Sequence, residues 1–358
     1  MSRLIRAVID TSALRHNLNT IRERAPGARV MAVVKANAYG HGLIPTALAL
    51  ADADAFAVAR LEEGLALRAA GVTQPIVLLE GVFASAQLLE AARHGFDIVV
   101  HEPLQIELLE KFSGSHRFVL WLKIDTGMNR LGFRPSEFPE ALERLQKLRP
   151  PPLELRLLTH LARADELDSP MTNEQVERFA TLSAQLDYEN SIANSAGIFR
   201  ASPVRCDWVR PGLALYGVSP FADQTGNDLG LHPVMTLEST VIATRAVARG
   251  ETVGYGGVWK AARDSTVAIV AAGYGDGLPR GLPGGTPVSI DGHRAPTVGR
   301  VSMDMIAVDV SDLPPVKIGA SATLWGRALP VEEIARHAGT IPYELLCGVS
   351  QRVPLELR

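Results

Sequence analysis

The chain has 358 residues, 47% hydrophobic and 21% charged, with 36 basic and 39 acidic residues and a net charge of −3. That length exceeds what one core usually organises and predicts two domains, or one barrel with an appendage; the composition excludes disordered and collagenous classes. Without a Lys/Arg block, no nucleic-acid partner is expected. Cys206 and Cys347 are too few for a disulfide framework and too isolated for a zinc cluster, so both read as reduced thiols and no metal is expected. The first residues lack the apolar core of a signal peptide and no run approaches a membrane span, which predicts a cytoplasmic location and no membrane partner.

In chain order, a short strand at 6–9 precedes a helix over 11–24, and that strand is a candidate partner for the C-terminal half. Eight apolar, β-branched runs follow, at 30–34, 55–58, 76–79, 97–100, 118–124, 153–159, 191–193 and 206–209. Amphipathic stretches such as 61–70 and 172–186 separate them, the signature of repeated βα units and a parallel sheet. Eight such units in roughly 200 residues predict an α/β fold with an N-terminal (β/α)8 TIM barrel. An open doubly wound sheet is the alternative, but its glycine fingerprint after the first strand is absent. Residues 220–230 read as a linker, which places a boundary near 225. The barrel domain is then 1–225, and 226–358 is a mainly-β domain. Its strands are predicted at 235–247, 265–271, 287–290, 298–310, 322–325 and 351–357, with one helix at 331–337.

The reactive side chains fall just past the C-terminal ends of the predicted barrel strands. Lys35 follows the first, Asp125 the fifth, His160 the sixth, Asn194 and Ser195 the seventh and Arg210 the eighth. That rim is where TIM barrels bind substrates, and the loops after strands seven and eight, here with Ser195 and Gly212, often hold a phosphate. Each residue also has a plainer reading. A lysine there is commonly a solvated strand end, a lone histidine commonly supports a core, and the glycine-rich segments at 254–257 and 273–277 are tight turns on their face. The small residues and glycines after Lys35 favour a site, because they let backbone approach a ligand closely.

Ala32-Val33-Val34-Lys35-Ala36-Asn37-Ala38-Tyr39-Gly40-His41-Gly42 resembles the pyridoxal phosphate (PLP) attachment signature of alanine racemases. Further segments are similar to that family in order along nearly the whole chain: 123–133, Thr159-His160, Asn194-Ser195-Ala196, 209–217, Val253-Gly254-Tyr255-Gly256, 299–304 and Ile341-Pro342-Tyr343-Glu344. Ser302 stands where many members carry Cys, and Asn129 where others have Gly or His.

The resemblance implies a PLP-dependent isomerase interconverting L- and D-alanine, for peptidoglycan precursors or alanine catabolism. It also implies a homodimer with shared active sites. Lys35 would carry the cofactor as a Schiff base; Tyr39, Ser195, Gly212 and Tyr343 would bind its phosphate, with His160 and Asn194 also in the cofactor site, and Arg210 would face the pyridine nitrogen. Lys35 and Tyr255, the latter from the second subunit, would be the two catalytic bases. Arg130 and Met303 would contact substrate, and Lys123 is the position open to carbamylation. An ordinary tyrosine titrates near ~10, so a basic Tyr255 needs nearby positive charge, for which His160 and Arg210 are candidates, and predicts an alkaline optimum. A related amino-acid decarboxylase would carry a carboxylate where Arg210 stands, and a PLP-carrier barrel would leave the β domain without a purpose.

Overall fold

A computed structural model describes residues 4–358. Its barrel is a closed ring of parallel strands: β2 (Arg29–Val33), β3 (Ala55–Val58), β4 (Ile76–Leu78), β5 (Phe96–Val100), β6 (Val119–Lys123), β7 (Glu154–Leu158), β8 (Asn190–Asn194) and β9 (Trp208–Arg210). The ring closes where β9 returns to β2, with Trp208 beside Arg29 and Val209 beside Val30. Strands β3, β4 and β5 are buried at every position, as expected where helices cover the outside and side chains fill the inside.

The N-terminal end of the barrel is plugged by charge and indole. The Arg156 guanidinium lies 5.1 Å from the rings of both Trp121 and Trp208 and pairs with Glu189 at 3.1 Å. Trp121 Nε1 donates to Asp97 at 3.3 Å. Burial of Asp97 outweighs its Trp121 hydrogen bond and the Arg156 charge and pushes it up to about 6.

The first strand, β1 (Arg6–Ile9), joins the C-terminal sheet. It lies between β10 (Met235–Val247), antiparallel, and the last strand of the chain (Leu355–Leu357), parallel. β10 is the hub: its first eight residues alternate between buried and half-buried, the period of a strand with one face on a core. Five further strands are β11 (Thr252–Val253), β12 (Trp259–Lys260), β13 (Ser265–Val270), β14 (Pro287–Ile290) and β15 (His293–Val298). They are followed by β16 (Ile306–Asp309), β17 (Ser321–Trp325) and β18 (Leu355–Leu357). Both β13 and β17 pair with β10.

Three local expectations change. The run at 298–310 is not one strand: Gly299, at φ +70, ends β15, and a turn closed by Ser302 N–H to Met305 O (3.0 Å) separates it from β16. The run at 351–357 is extended only over Leu355–Leu357. A helix over Pro342–Gly348, begun by a proline at its first position, carries Tyr343.

Two buried side chains lock the barrel to the β domain. Asn17, on the Thr11–Arg24 helix, donates to the carbonyls of Leu215 (3.0 Å) and His232 (2.8 Å) and accepts from His232 N–H. The Glu332 carboxylate accepts the N–H groups of Ser219 (2.9 Å) and Gly226 (2.8 Å), fastening the linker to the helix Val331–Ala338. No helix of the described residues is long and apolar enough to cross a membrane.

The Asp97 shift has a definite sign. Its folded value, about 6, lies above that of an unfolded aspartate, so stability from this group is full below pH ~4 and is lost as pH rises through the folded value. Asp97→Asn should remove about 1 kcal/mol of the stability the protein loses between pH ~5 and ~7. Urea denaturation at the two pH values measures this, and equal losses in both proteins would show that Arg156 cancels the burial.

Candidate active site

Lys35 stands two residues past β2, half-buried at the C-terminal rim. The four residues after it are left-handed, Ala36, Asn37, Ala38 and Tyr39 having φ of 54, 53, 53 and 52°. None is glycine, so each position costs roughly 1–2 kcal/mol, less for Asn. Hydrogen bonds surround the turn. Ala36 N–H goes to Glu63 Oε1 at 2.7 Å, Asn37 Oδ1 accepts Leu43 N–H at 2.9 Å, and buried His41 directs Nδ1 at the carbonyls of Ala38 (3.1 Å) and Tyr39 (2.9 Å). Gly40 is required on two counts: φ is +81, and a Cβ would stand 2.1 Å from the Leu346 carbonyl.

The turn swings Tyr39 across the barrel mouth toward the loops after β8 and β9. A Cβ on Gly212 would stand 2.4 Å from the Tyr39 hydroxyl, and Ser195 Oγ accepts the N–H groups of Gly212 (3.0 Å) and Ala214 (3.2 Å). Tyr39 stacks on Tyr216 with ring centroids 4.8 Å apart and meets Tyr343 at 5.7 Å. Tyr216 in turn donates to Val33 O at 2.9 Å and stacks on His41. Burial raises Tyr39 strongly and pushes Tyr343 up to about 12, so both hydroxyls stay protonated and able to donate. The structure thus brings Tyr39, Ser195, Gly212 and Tyr343 to one end of the rim. Asn194 stands beside them with its side chain occupied: Oδ1 caps the helix Ser195–Phe199 through Gly197 N–H at 3.0 Å.

Arg210 is buried at the end of β9, donating to Ser191 Oγ and Thr159 O, both at 2.6 Å, with His160 Nδ1 at 3.3 Å. Burial lowers Arg210 to about 10, which leaves it cationic at neutral pH. Burial first, then the charge of Arg210, holds His160 well below the ordinary histidine range. His160 is therefore neutral and accepts at Nδ1, which withdraws it as a candidate cation for Tyr255 and leaves Arg210. At the end of β6, buried Lys123 is pulled down to about 8 by burial and by Arg210 and Arg130. Arg130 itself is exposed and makes no hydrogen bond or ion pair among the described residues. Asp125 spends its carboxylate on Gly127 and Asn129 N–H groups. Asn129 sits at φ +55, a left-handed conformation asparagine tolerates.

Tyr255 and Met303 do not join this rim by any hydrogen bond or ring contact in the single chain. Tyr255 lies in a turn between β11 and β12 with 68% exposure, and Met303 is 53% exposed. The glycine segment 273–277 proves to be more than a turn. Gly275 N–H donates to Met303 O at 2.8 Å, and Tyr274 N–H to Ser302 O at 3.0 Å. Arg352 ties Asp276 to Asp304, each at 2.7 Å. Arg352 carries no sequence signal, since both its partners are remote in the chain, and the same holds for the reach of Glu63 to Ala36.

These features define a barrel-plus-β protein whose barrel rim carries a lysine, two protonated tyrosines and a buried arginine. Residues 9–220 match the family model for the alanine racemase N-terminal domain and 234–357 that for the C-terminal domain. The chain is 50% identical over 350 residues to an alanine racemase of Aeromonas hydrophila and 49% over 351 to one of Vibrio parahaemolyticus, 98% of each chain being covered. The biosynthetic alanine racemase structure of Pseudomonas aeruginosa superposes with a TM-score of 0.96 at 44% identity over all of both chains. That of Bartonella henselae, with covalently bound pyridoxal phosphate, superposes at 0.90 and 33% identity, again over all of both. The chain belongs to the alanine racemase family, whose members are PLP-dependent racemases.

Gly212→Ala should destabilise the protein by about 1–3 kcal/mol through the forced displacement of Tyr39, whereas Gly281→Ala, with nothing within 4 Å of its added carbon, should be neutral. Denaturant midpoints of the two variants measure this, and equal midpoints would show that Tyr39 moves freely.

Proposed function

We propose that the protein interconverts L- and D-alanine in the cytoplasm, with PLP held at Lys35 and an active site completed by Tyr255 and Met303 of a second copy. The carrying observation is the convergence of Lys35, Tyr39, Ser195, Gly212 and cationic Arg210 on one rim. Several features fit the cofactor. Gly212 leaves room where a Cβ would press on Tyr39. Tyr39 and Tyr343 keep their protons as donors to a phosphate, and Lys123, Arg130 and Arg210 give the cleft a cationic field suited to anionic groups. His160 and Asn194 complete the cofactor surroundings, His160 by accepting from Arg210 and Asn194 by fixing the loop of Ser195.

When bound, PLP supplies an electron sink that acidifies the substrate Cα–H. The protein does the rest. Racemisation needs one group on each face of Cα. Lys35 Nζ takes or returns the proton on one face, and Tyr255 Oη of the second copy serves the other. Arg210, with its donors held by Ser191 and Thr159, cannot accept a ring proton. It thereby limits charge withdrawal into the ring, which favours reprotonation at Cα. Arg130 and the Met303 backbone would hold the substrate carboxylate. Lys123, with its value near 8, is neutral in a useful fraction of molecules, so its nitrogen can add to carbon dioxide, losing a proton to water and giving Arg130 an anionic partner.

Tyr255 exposure supports the shared site. Lys35→Ala and Tyr255→Phe should each be nearly inactive, while mixed and re-paired subunits should recover about a quarter of the wild-type rate, since random pairing makes half the dimers hybrid with one intact site each. Equal progress toward both antipodes is followed from L- and from D-alanine; no recovery on mixing would place both bases in one chain. Gly212→Ala should also weaken PLP capture at least tenfold in an absorbance titration. For Lys123, native mass spectrometry in bicarbonate should show one added carbon dioxide per chain, lost in Lys123→Ala; an unchanged mass in both would remove the carbamate.

A further inference from the structure

We infer that Glu63 is a positioning residue for Lys35, an inference resting on the reading that Lys35 holds the cofactor. Glu63 lies on the helix Leu61–Ala69 that follows β3, the strand beside Lys35's own. One carboxylate serves three backbone donors. Oε1 accepts Ala36 N–H at 2.7 Å, and Oε2 accepts Ala59 N–H at 2.9 Å and Arg60 N–H at 3.1 Å. Ala36 is the residue immediately after the lysine and the first of the left-handed run.

At that position the turn needs outside help. Inside it, Ala38 N–H reaches Val34 O at 2.9 Å, Gly40 N–H reaches Ala36 O at 3.2 Å and His41 N–H reaches Ala38 O at 3.0 Å. The Ala36 donor has no backbone acceptor, and the residue before Lys35, Val34, offers no side-chain cap. Glu63 fills the vacancy from the first turn of the helix after β3, so it pins the peptide joining Lys35 to Ala36 against the rim of that strand. The pin fixes the Lys35 Cα–Cβ direction and, through the rigid turn, the Tyr39 hydroxyl at the far end. Lysine and phosphate donor are thereby set relative to each other by one carboxylate whose partners are all backbone N–H groups. Glutamine cannot replace it fully: its single amide oxygen can serve one side, and its NH2 would face N–H donors on the other.

The test compares wild type, Glu63→Gln and Glu63→Ala. In the cofactor-free proteins, amide hydrogen exchange of the peptide 35–41 should accelerate at least tenfold in Glu63→Ala and less in Glu63→Gln, with β10 and β13 unchanged. In the loaded enzymes, kcat should fall about 10- to 100-fold with KM nearly constant, because a misaimed lysine harms the chemical step more than binding. Unchanged exchange at 35–41 would overturn the proposal. So would acceleration spread evenly over the barrel, or a kcat loss that only follows the folded fraction. Should Glu63→Ala fail to fold, Glu63→Gln decides on the same criteria. A wild-type protein that leaves alanine untouched would sink the racemase reading, whereas the exchange of 35–41 and borohydride trapping of PLP on Lys35 would still judge Glu63.

Discussion

The left-handed backbone of residues 36–39 is the constraint on which the rest of the rim depends. A right-handed continuation after Lys35 would carry Tyr39 away from Gly212 and separate the lysine from the loops after β8 and β9. Four consecutive residues without glycine hold a conformation that costs roughly 1–2 kcal/mol at each position, against a net domain stability of only about 5–15 kcal/mol. The surrounding structure over-determines it: Glu63, Leu43 and His41 bond to it, the Leu346 carbonyl crowds Gly40, and Tyr39 stacks on Tyr216 with Tyr343 and His41 packed against the pair. Strain kept at one place and offset by packing around it is the usual mark of a site whose geometry matters more than its local energy.

That geometry sits in a cationic, largely desolvated cleft, and the protonation states follow from it. With Arg210 buried and its donors fixed inward, His160 remains neutral as an acceptor and Lys123 loses affinity for its proton. Burial acts the opposite way on the tyrosines, keeping their protons in place. One physical cause, removal of water from the rim, thus produces neutral histidine, weakly basic lysine and donor phenols together.

The β domain contributes differently. It grips the first strand of the chain between β10 and β18 and holds the barrel through Asn17 and Glu332, so the relative placement of the halves is set by buried hydrogen bonds. Tyr255 and Met303 lie exposed on turns of this domain. The brace at Met303 is specific: Arg352 joins Asp276 to Asp304, and Gly275 supports the Met303 carbonyl. In the proposed dimer this turn would enter a neighbouring copy.

Periodicity alone revealed the barrel, because fully buried parallel strands leave continuous apolar runs and their helices leave amphipathic ones; the long strand β10 was legible for the same reason. The position of Lys35, Ser195 and Arg210 past strand ends was also legible, since it depends only on where a run stops. Elements shaped by distant contacts were not. The split of 298–310 around the Met303 turn rests on Gly299 and on a loop pairing with 273–275, and the helix carrying Tyr343 follows an unremarkable proline. The left-handed turn is built from alanine, asparagine and tyrosine, none of which requires it, and only Glu63, Leu346 and the aromatic stack compel it. The neutral state of His160 likewise comes first from burial and then from the charge of Arg210, fifty residues later in the chain. Local sequence therefore determined the barrel strands, the amphipathic helices between them and the rim addresses of the reactive residues, because those depend on hydrophobic period. Tertiary structure alone decided the backbone handedness after Lys35 and the charges of the site, because both are set by neighbours that only folding brings within bonding distance.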